Sequence, residues 1–114
     1  MKRFLYLISP NKINQDFYKN LNDVLASKKV KYFQLRSKLY SNFKLVKIAK
    51  KIKAITKKHK VKLIINDFPL VAKWAKADGC HLGQADESIK NARKILKKNK
   101  IIGITCHGSK KLIL

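Results

Sequence analysis

Acid is the scarcest feature of this chain: six Asp and Glu stand against 28 Lys and Arg in 114 residues, a net charge of +22. Cysteine is nearly absent, and Cys80 and Cys106 lack CxxC spacing and sit inside apolar runs, where cysteine behaves as a small buried hydrophobe. No structural disulfide is expected, and a reducing compartment fits. No apolar run approaches the roughly 18 residues that span a bilayer, and "FLYLI" is shorter than a signal-peptide core of about 7–15. We expect a soluble cytoplasmic protein with no membrane partner. The four glycines form no GxGxxG after the first apolar run, so a dinucleotide-binding fold has no specific support.

Hydrophobic residues make up 46% of the chain, enough to build a core, and the length suits one domain spanning 1–114. No linker or low-complexity segment divides it. Excess positive charge ordinarily suggests a phosphate-rich partner, but the lysines are spread along the chain and only Arg3, Arg36 and Arg93 are arginine. Lys, Ile and Asn account for 46 of the 114 residues, a mixture we attribute to codon bias in an AT-rich genome. No specific nucleic-acid motif is present. A surface this basic is expected to hold polyanions weakly, non-specifically and in a salt-dependent way.

Two periods alternate along the chain. "RFLYLIS" (3–9), "VKYFQLRSK" (30–38), "VKLIINDF" (61–68), "GCHLG" (79–83) and "KIIGITCH" (100–107) read as strands. Between them Phe17, Leu21, Val24 and Leu25 recur at helical spacing, and Leu45, Ile48, Ala49, Ile52 and Ile55 form one apolar stripe with lysines mostly off it. Pro69 is placed to open a helix, "PLVAKWAKA", ending near Asp78 and Gly79; Ile89, Ala92, Ile95 and Leu96 face inward from another. Ser109 is placed to cap a further helix, "KKLIL". Strand and helix units repeated at this spacing predict an α/β fold with a parallel sheet, and continuous apolar strands are what covered parallel strands require.

Polar residues that interrupt this pattern gather at the carboxyl ends of the strands, where parallel sheets place their active sites. Gln34, Arg36 and Lys38 end the second; Asn66 and Asp67 the third; the fourth runs through His81 and Gly83 to Gln84 and Asp86; Thr105 and His107 end the fifth. Arg36 and Lys38 alternate with Leu35 and Ser37, so strand geometry turns both cations to one face, suited to a diphosphate. Asp67 and Asp86 end adjacent strands, and two carboxylates beside phosphate oxygens are a usual way to hold Mg²⁺. Each residue also has a plain structural role: turn chemistry for Asn66 and Asp67, helix capping for Asp86 and Ser88, solvated charge for Arg36 and Lys38, core packing for His81 and Cys106.

"QLRSK", "LIINDFPLVAKWAKADGCHLGQAD" and "IIGITCHGS" together resemble the successive motifs of the thiamine-phosphate synthase family, from about residue 30 onward. The resemblance implies a (β/α)₈ TIM barrel, here its first five β/α units, and a transferase of thiamine biosynthesis. It implies Mg²⁺-dependent joining of a pyrimidine methyl diphosphate to a thiazole phosphate, two small-molecule substrates, with release of pyrophosphate. Gln34, Leu35, Arg36, Ser37 and Lys38 would bind the pyrimidine diphosphate with Asn66 and Thr105; Arg36 and Lys38 would be catalytic. Asp67 and Asp86 would be the metal ligands. Thr105 stands where the family more often has Ser, which keeps the hydroxyl, and Ser37 where Glu is frequent.

The departure is length, since a (β/α)₈ barrel normally takes at least about 200 residues. The last three strands, a later diphosphate-contacting lysine and the glycine-rich loops for the thiazole phosphate are missing. Three expectations follow: a piece of a longer enzyme, a half-barrel that forms a homo-oligomer or pairs with a complementing chain, or an inactive truncated homologue. Weak or no synthase activity is expected of these residues alone. Two other functions remain: a related thiazole tautomerase, against which the set Gln34, Arg36, Lys38, Asp67 and Asp86 argues, and a small basic RNA-binding protein.

Overall fold

Five short strands run side by side in their order along the chain, and each of the first four is followed by a helix. The computed structural model describes residues 4–83, 86–106 and 109–113, with side chains described over 4–83 and 89–104. The elements are β1 (Leu5–Ile8), α1 (Gln15–Leu25), β2 (Val30–Leu35), α2 (Asn42–Lys58), β3 (Lys62–Asn66), α3 (Pro69–Trp74), β4 (Gly79–Leu82), α4 (Asp86–Leu96), β5 (Ile101–Cys106) and β6 (Ser109–Ile113). Strands β1 to β5 pair in parallel, and the sheet order is simply β1-β2-β3-β4-β5-β6. Consecutive order without a reversal is the arrangement of a barrel wall; a doubly wound sheet has a switch point instead. The fold is that of the TIM-barrel family, with five β/α-type strands present.

Local sequence explains the helix boundaries. Asn14 and Ser41 cap α1 and α2, their side chains accepting the backbone N–H of Phe17 and Lys44. Pro69 opens α3, as expected, but the helix stops at Trp74, short of Asp78. Every helix is followed closely by a lysine in the left-handed conformation: Lys28, Lys60, Lys76 and Lys97 have φ of 63°, 59°, 57° and 63°. Glycine is the usual residue at such helix ends because it alone takes this conformation without a Cβ penalty.

Strand register sorts the side chains into two sheets of contacts. Phe33, Leu35, Leu63, Ile65, Cys80 and Ile102 turn towards the helices and join Leu25, Ile52 and Ala72 in the main core. Each large apolar side chain buried there contributes roughly 1.5–3 kcal/mol. The alternate positions Tyr32, Gln34, Ile64, His81 and Ile101 face the other way, into what is the interior of a barrel wall. Of the apolar residues that recur at helical spacing in α1, Leu21 and Leu25 are buried and Val24 is 46% exposed.

Two tight features fix the amino-terminal edge. Gly79 is required by close approach: a Cβ there would lie 2.2 Å from the backbone oxygen of Ile101 on β5. Next to it, Asp78 accepts the Leu63 N–H at 2.8 Å and the Lys53 ammonium at 2.9 Å on one carboxylate oxygen. Its backbone donates to Leu63 O and accepts from Ile101 N, so β3, β5 and α2 meet at one residue.

The expectation for Ser109 is overturned. Ser109–Ile113 is no helix but β6, paired antiparallel to β5 from Cys106↔Ser109 to Ile102↔Ile113. Isolated helices shorter than about 12–15 residues are marginal, whereas the open edge of β5 offers a ladder of unpaired backbone groups. No helix among the described residues is long and apolar enough to cross a membrane.

Candidate functional site

Strand β2 ends at Leu35, three residues before the expected limit, and side chains replace the ladder beyond it. The Ser9 hydroxyl accepts the Arg36 N–H at 2.9 Å and donates to Arg36 O at 3.2 Å. The Asn11 side-chain oxygen accepts the Lys38 N–H at 3.3 Å, and the Ser37 hydroxyl donates to Asn11 O. The loop after β1 thereby clamps the segment after β2. Arg36 and Lys38, both exposed, line one cavity of about 270 Å³ with Ile8, Ser9 and Asn11. The expected convergence of the two cations is therefore present, although it is made by a loop and not by a strand face.

The other members of that segment are held within the fold. Gln34 is 1% exposed, and its amide donates to the Tyr6 hydroxyl at 2.9 Å. Leu35 belongs to the core on the helix side, so its side chain is turned from the cavity. Ser37 is buried, and besides bonding Asn11 its oxygen accepts the Leu39 N–H at 3.2 Å. Ser9 and Asn11 were not singled out in the sequence. The signal that could have found them is that "SPN" directly follows the first apolar strand, the position that drew attention to all the others.

At the end of β3, Asn66 donates to an Asp67 carboxylate oxygen at 3.0 Å. Asp67 is exposed and left-handed, with φ of 68°, a conformation Asp and Asn tolerate better than most residues. Its N–H donates to His81 O at 2.7 Å, which ties the turn to β4. His81 is buried, in register with Asn66 on one side and Gly103 on the other. The turn reading and the site reading of Asn66 and Asp67 are thus both compatible with one geometry. Cys80, facing the helix core, has its thiol pushed up to about 12, first by burial and then by the Asp67 carboxylate.

Asp86 opens α4, immediately after β4, and Thr105 lies in β5, so the backbone puts both at the same carboxyl edge. Their side chains, with Gln84 and His107, lie outside the described residues. Among the described residues no three His, Cys, Asp or Glu side chains form a metal-binding group. Asp67 is an exposed aspartate at the end of β3, and Asp86, at the start of α4, is a second residue whose side chain offers only oxygen donors. Magnesium takes oxygen ligands, needs only one or two protein carboxylates, and keeps water or substrate oxygens elsewhere, so these residues fit that ion.

A family model described as thiamine monophosphate synthase matches residues 5–114. A thiamine-phosphate synthase of Pelagibacter ubique is 61% identical over 109 residues, covering 95% of this chain and 52% of that protein. Its counterpart in Erythrobacter litoralis is 39% identical over 112 residues, covering 96% and 53%. In three dimensions the chain is similar to a thiamine phosphate pyrophosphorylase from Pyrococcus furiosus, with a TM-score of 0.77 and 25% identity over 93% of this chain and 51% of that one. The chain spans about half the length of the curated relatives it matches. A match that runs almost from end to end, over the strands whose carboxyl ends lead into Arg36 and Lys38 and into Asn66 and Asp67, makes this chain a member of the thiamine monophosphate synthase family.

Proposed function

We propose that this chain supplies the pyrimidine diphosphate and magnesium part of a thiamine-phosphate synthase site. The reaction is the condensation of 4-amino-2-methyl-5-(diphosphomethyl)pyrimidine with thiazole phosphate, giving thiamine phosphate and pyrophosphate. The observation that carries the reading is the meeting of Arg36 and Lys38 in one cavity, on the sheet edge that also bears Asn66 and Asp67.

In this reading the bond from the pyrimidine methylene carbon to the diphosphate oxygen breaks, and its electron pair leaves with pyrophosphate. The thiazole nitrogen then forms the new carbon–nitrogen bond. Arg36 and Lys38 bind the diphosphate and stabilise it most as charge develops on the leaving group. Ser9 and Asn11 hold the backbone of that segment, so the cations are positioned before substrate arrives. Asn66, braced against Asp67, orients the substrate from the next strand, and Thr105 offers a hydroxyl from β5. Held by Asp67 and Asp86, a magnesium ion would supply further positive charge to the diphosphate oxygens. No side-chain nucleophile or general base is required.

The test is calorimetric binding of the pyrimidine diphosphate to the purified chain, with and without Mg²⁺. Binding that disappears on chelation, and falls at least about tenfold in Asp67→Asn, is the expected outcome. Asn tolerates the left-handed backbone at this position, so the fold is retained. Equal affinity in Asp67→Asn and the parent chain would remove Asp67 from the site.

A further inference from the structure

On the far side of the molecule, α2 and α3 enclose a groove of about 600 Å³ lined by Lys50, Lys53, Ala54, Lys57, Trp74, Ala75 and Lys76. Trp74 is 60% exposed, an unusual position for the largest apolar side chain and the chain's sole tryptophan. The groove continues into a second hollow of about 240 Å³ that shares Lys53 and Lys57 and adds Lys60, Lys62 and Asp78. Lys62 begins β3 and Lys57 lies in the last turn of α2, so this surface flanks the amino-terminal edge, opposite the edge that bears Asp67.

We propose that this groove binds single-stranded nucleic acid, with a base stacked on Trp74 and the phosphates following the lysines. Lys50, Lys53 and Lys57 share one face of α2, and the helical rise separates the first from the last by about 10 Å. That is an extended basic track and not a point contact. Asp78 neutralises Lys53, leaving the net charge of the groove on Lys50, Lys57 and Lys76 beside the indole, with Lys60 and Lys62 further along. An exposed aromatic platform within a cationic groove is the combination by which proteins hold single strands without sequence preference. Lysines dispersed in the sequence thus converge with an aromatic only after folding. The site is separate from the diphosphate cavity, and the proposal does not rest on that assignment.

The sole tryptophan makes the test direct. Titration with an oligouridylate of roughly ten nucleotides should quench Trp74 fluorescence saturably, with affinity falling steeply between about 50 and 200 mM salt. Inorganic polyphosphate, which has charge but no bases, should bind without comparable quenching. By anisotropy of labelled oligouridylate, Trp74→Ala should weaken binding about tenfold or more, the loss of one stacked base. Lys50→Glu with Lys57→Glu should weaken it well beyond Lys19→Glu with Lys29→Glu, an equal charge change on exposed lysines outside both hollows. Oligouridylate binding without quenching, or equal losses in the two charge-reversed proteins, would overturn the proposal; the first reading uses the unmodified chain and does not depend on any variant folding.

Discussion

Lys53 and Asp78 meet at 2.9 Å on the amino-terminal edge of the sheet, and the same carboxylate oxygen accepts the Leu63 N–H. Both side chains are about one-fifth exposed, so solvent weakens the ion pair itself. The backbone bond matters more, because it leaves a strand N–H without its acceptor when the carboxylate is removed. Asp78→Ala should lower stability by about 1–3 kcal/mol, measured by urea denaturation. Lys53→Met, which keeps the bond to Leu63, should cost less than about 1 kcal/mol; equal losses in the two would show the ion pair, not the backbone bond, to be the larger contribution.

Gly79 leaves no room for a side chain between β4 and β5. With a Cβ only 2.2 Å from Ile101 O, Gly79→Ala must push a backbone strand aside. Overpacking of this kind costs typically about 1–3 kcal/mol, and a backbone obstacle puts this site at the upper end. A denaturation midpoint unchanged from the parent chain would contradict the close approach.

Burial of Cys80 predicts a specific alkaline instability. Its thiol is raised from 9.0 to about 12 in the folded chain, so folded and unfolded states carry the same neutral thiol below pH 9. Above that, the unfolded state ionises first and stability falls until pH reaches about 12. The loss over this window is on the order of 3–4 kcal/mol. Tyr6 and Tyr18, also raised by burial, add to the decline above pH 10 in any variant that keeps them. Comparison with Cys80→Ala therefore isolates the thiol: the gap between the two stability curves should narrow from pH 9 upwards. Parallel curves would be incompatible with a buried thiol that resists ionisation.

The lysines that follow the helices offer a stabilising substitution. Lys28 adopts φ of 63°, where a Cβ is strained and glycine is not. Lys28→Gly should raise stability by about 0.5–1 kcal/mol after the entropy of a freer unfolded chain is subtracted. For a domain of this size that is a rise of several degrees, roughly 4–8 °C per kcal/mol, in the thermal midpoint. A fall in the midpoint would mean that the lysine's interaction with the end of α1 outweighs the strain.

What could be read in advance was whatever depends on periodicity. The five parallel strands, the stripe on α2 and the gathering of polar residues at the carboxyl ends all follow from apolar spacing, which burial enforces. The alternation from Leu35 to Lys38 continues past the point where the strand stops, because the clamp by Ser9 and Asn11 comes from 27 residues away and leaves no mark on the local pattern. The same holds for β6: its segment is short and begins with a serine that suits a helix cap, and only the vacant edge of β5 decides its conformation. The helical run from Pro69 does not say which way Trp74 faces; it is the last residue of α3 and stands at the surface.

The antiparallel pairing of β6 gives the sheet a direction of growth. Its two margins are no longer equivalent: one is already occupied along Ile102 to Cys106, while β1 presents Leu5 and Ile8 at 55% and 41% exposure. A strand arriving from another polypeptide can extend the wall at β1 without breaking anything. At β5 it must first evict the hairpin. The hairpin thus holds the β5 margin as an intramolecular competitor, whose local concentration dilution does not lower.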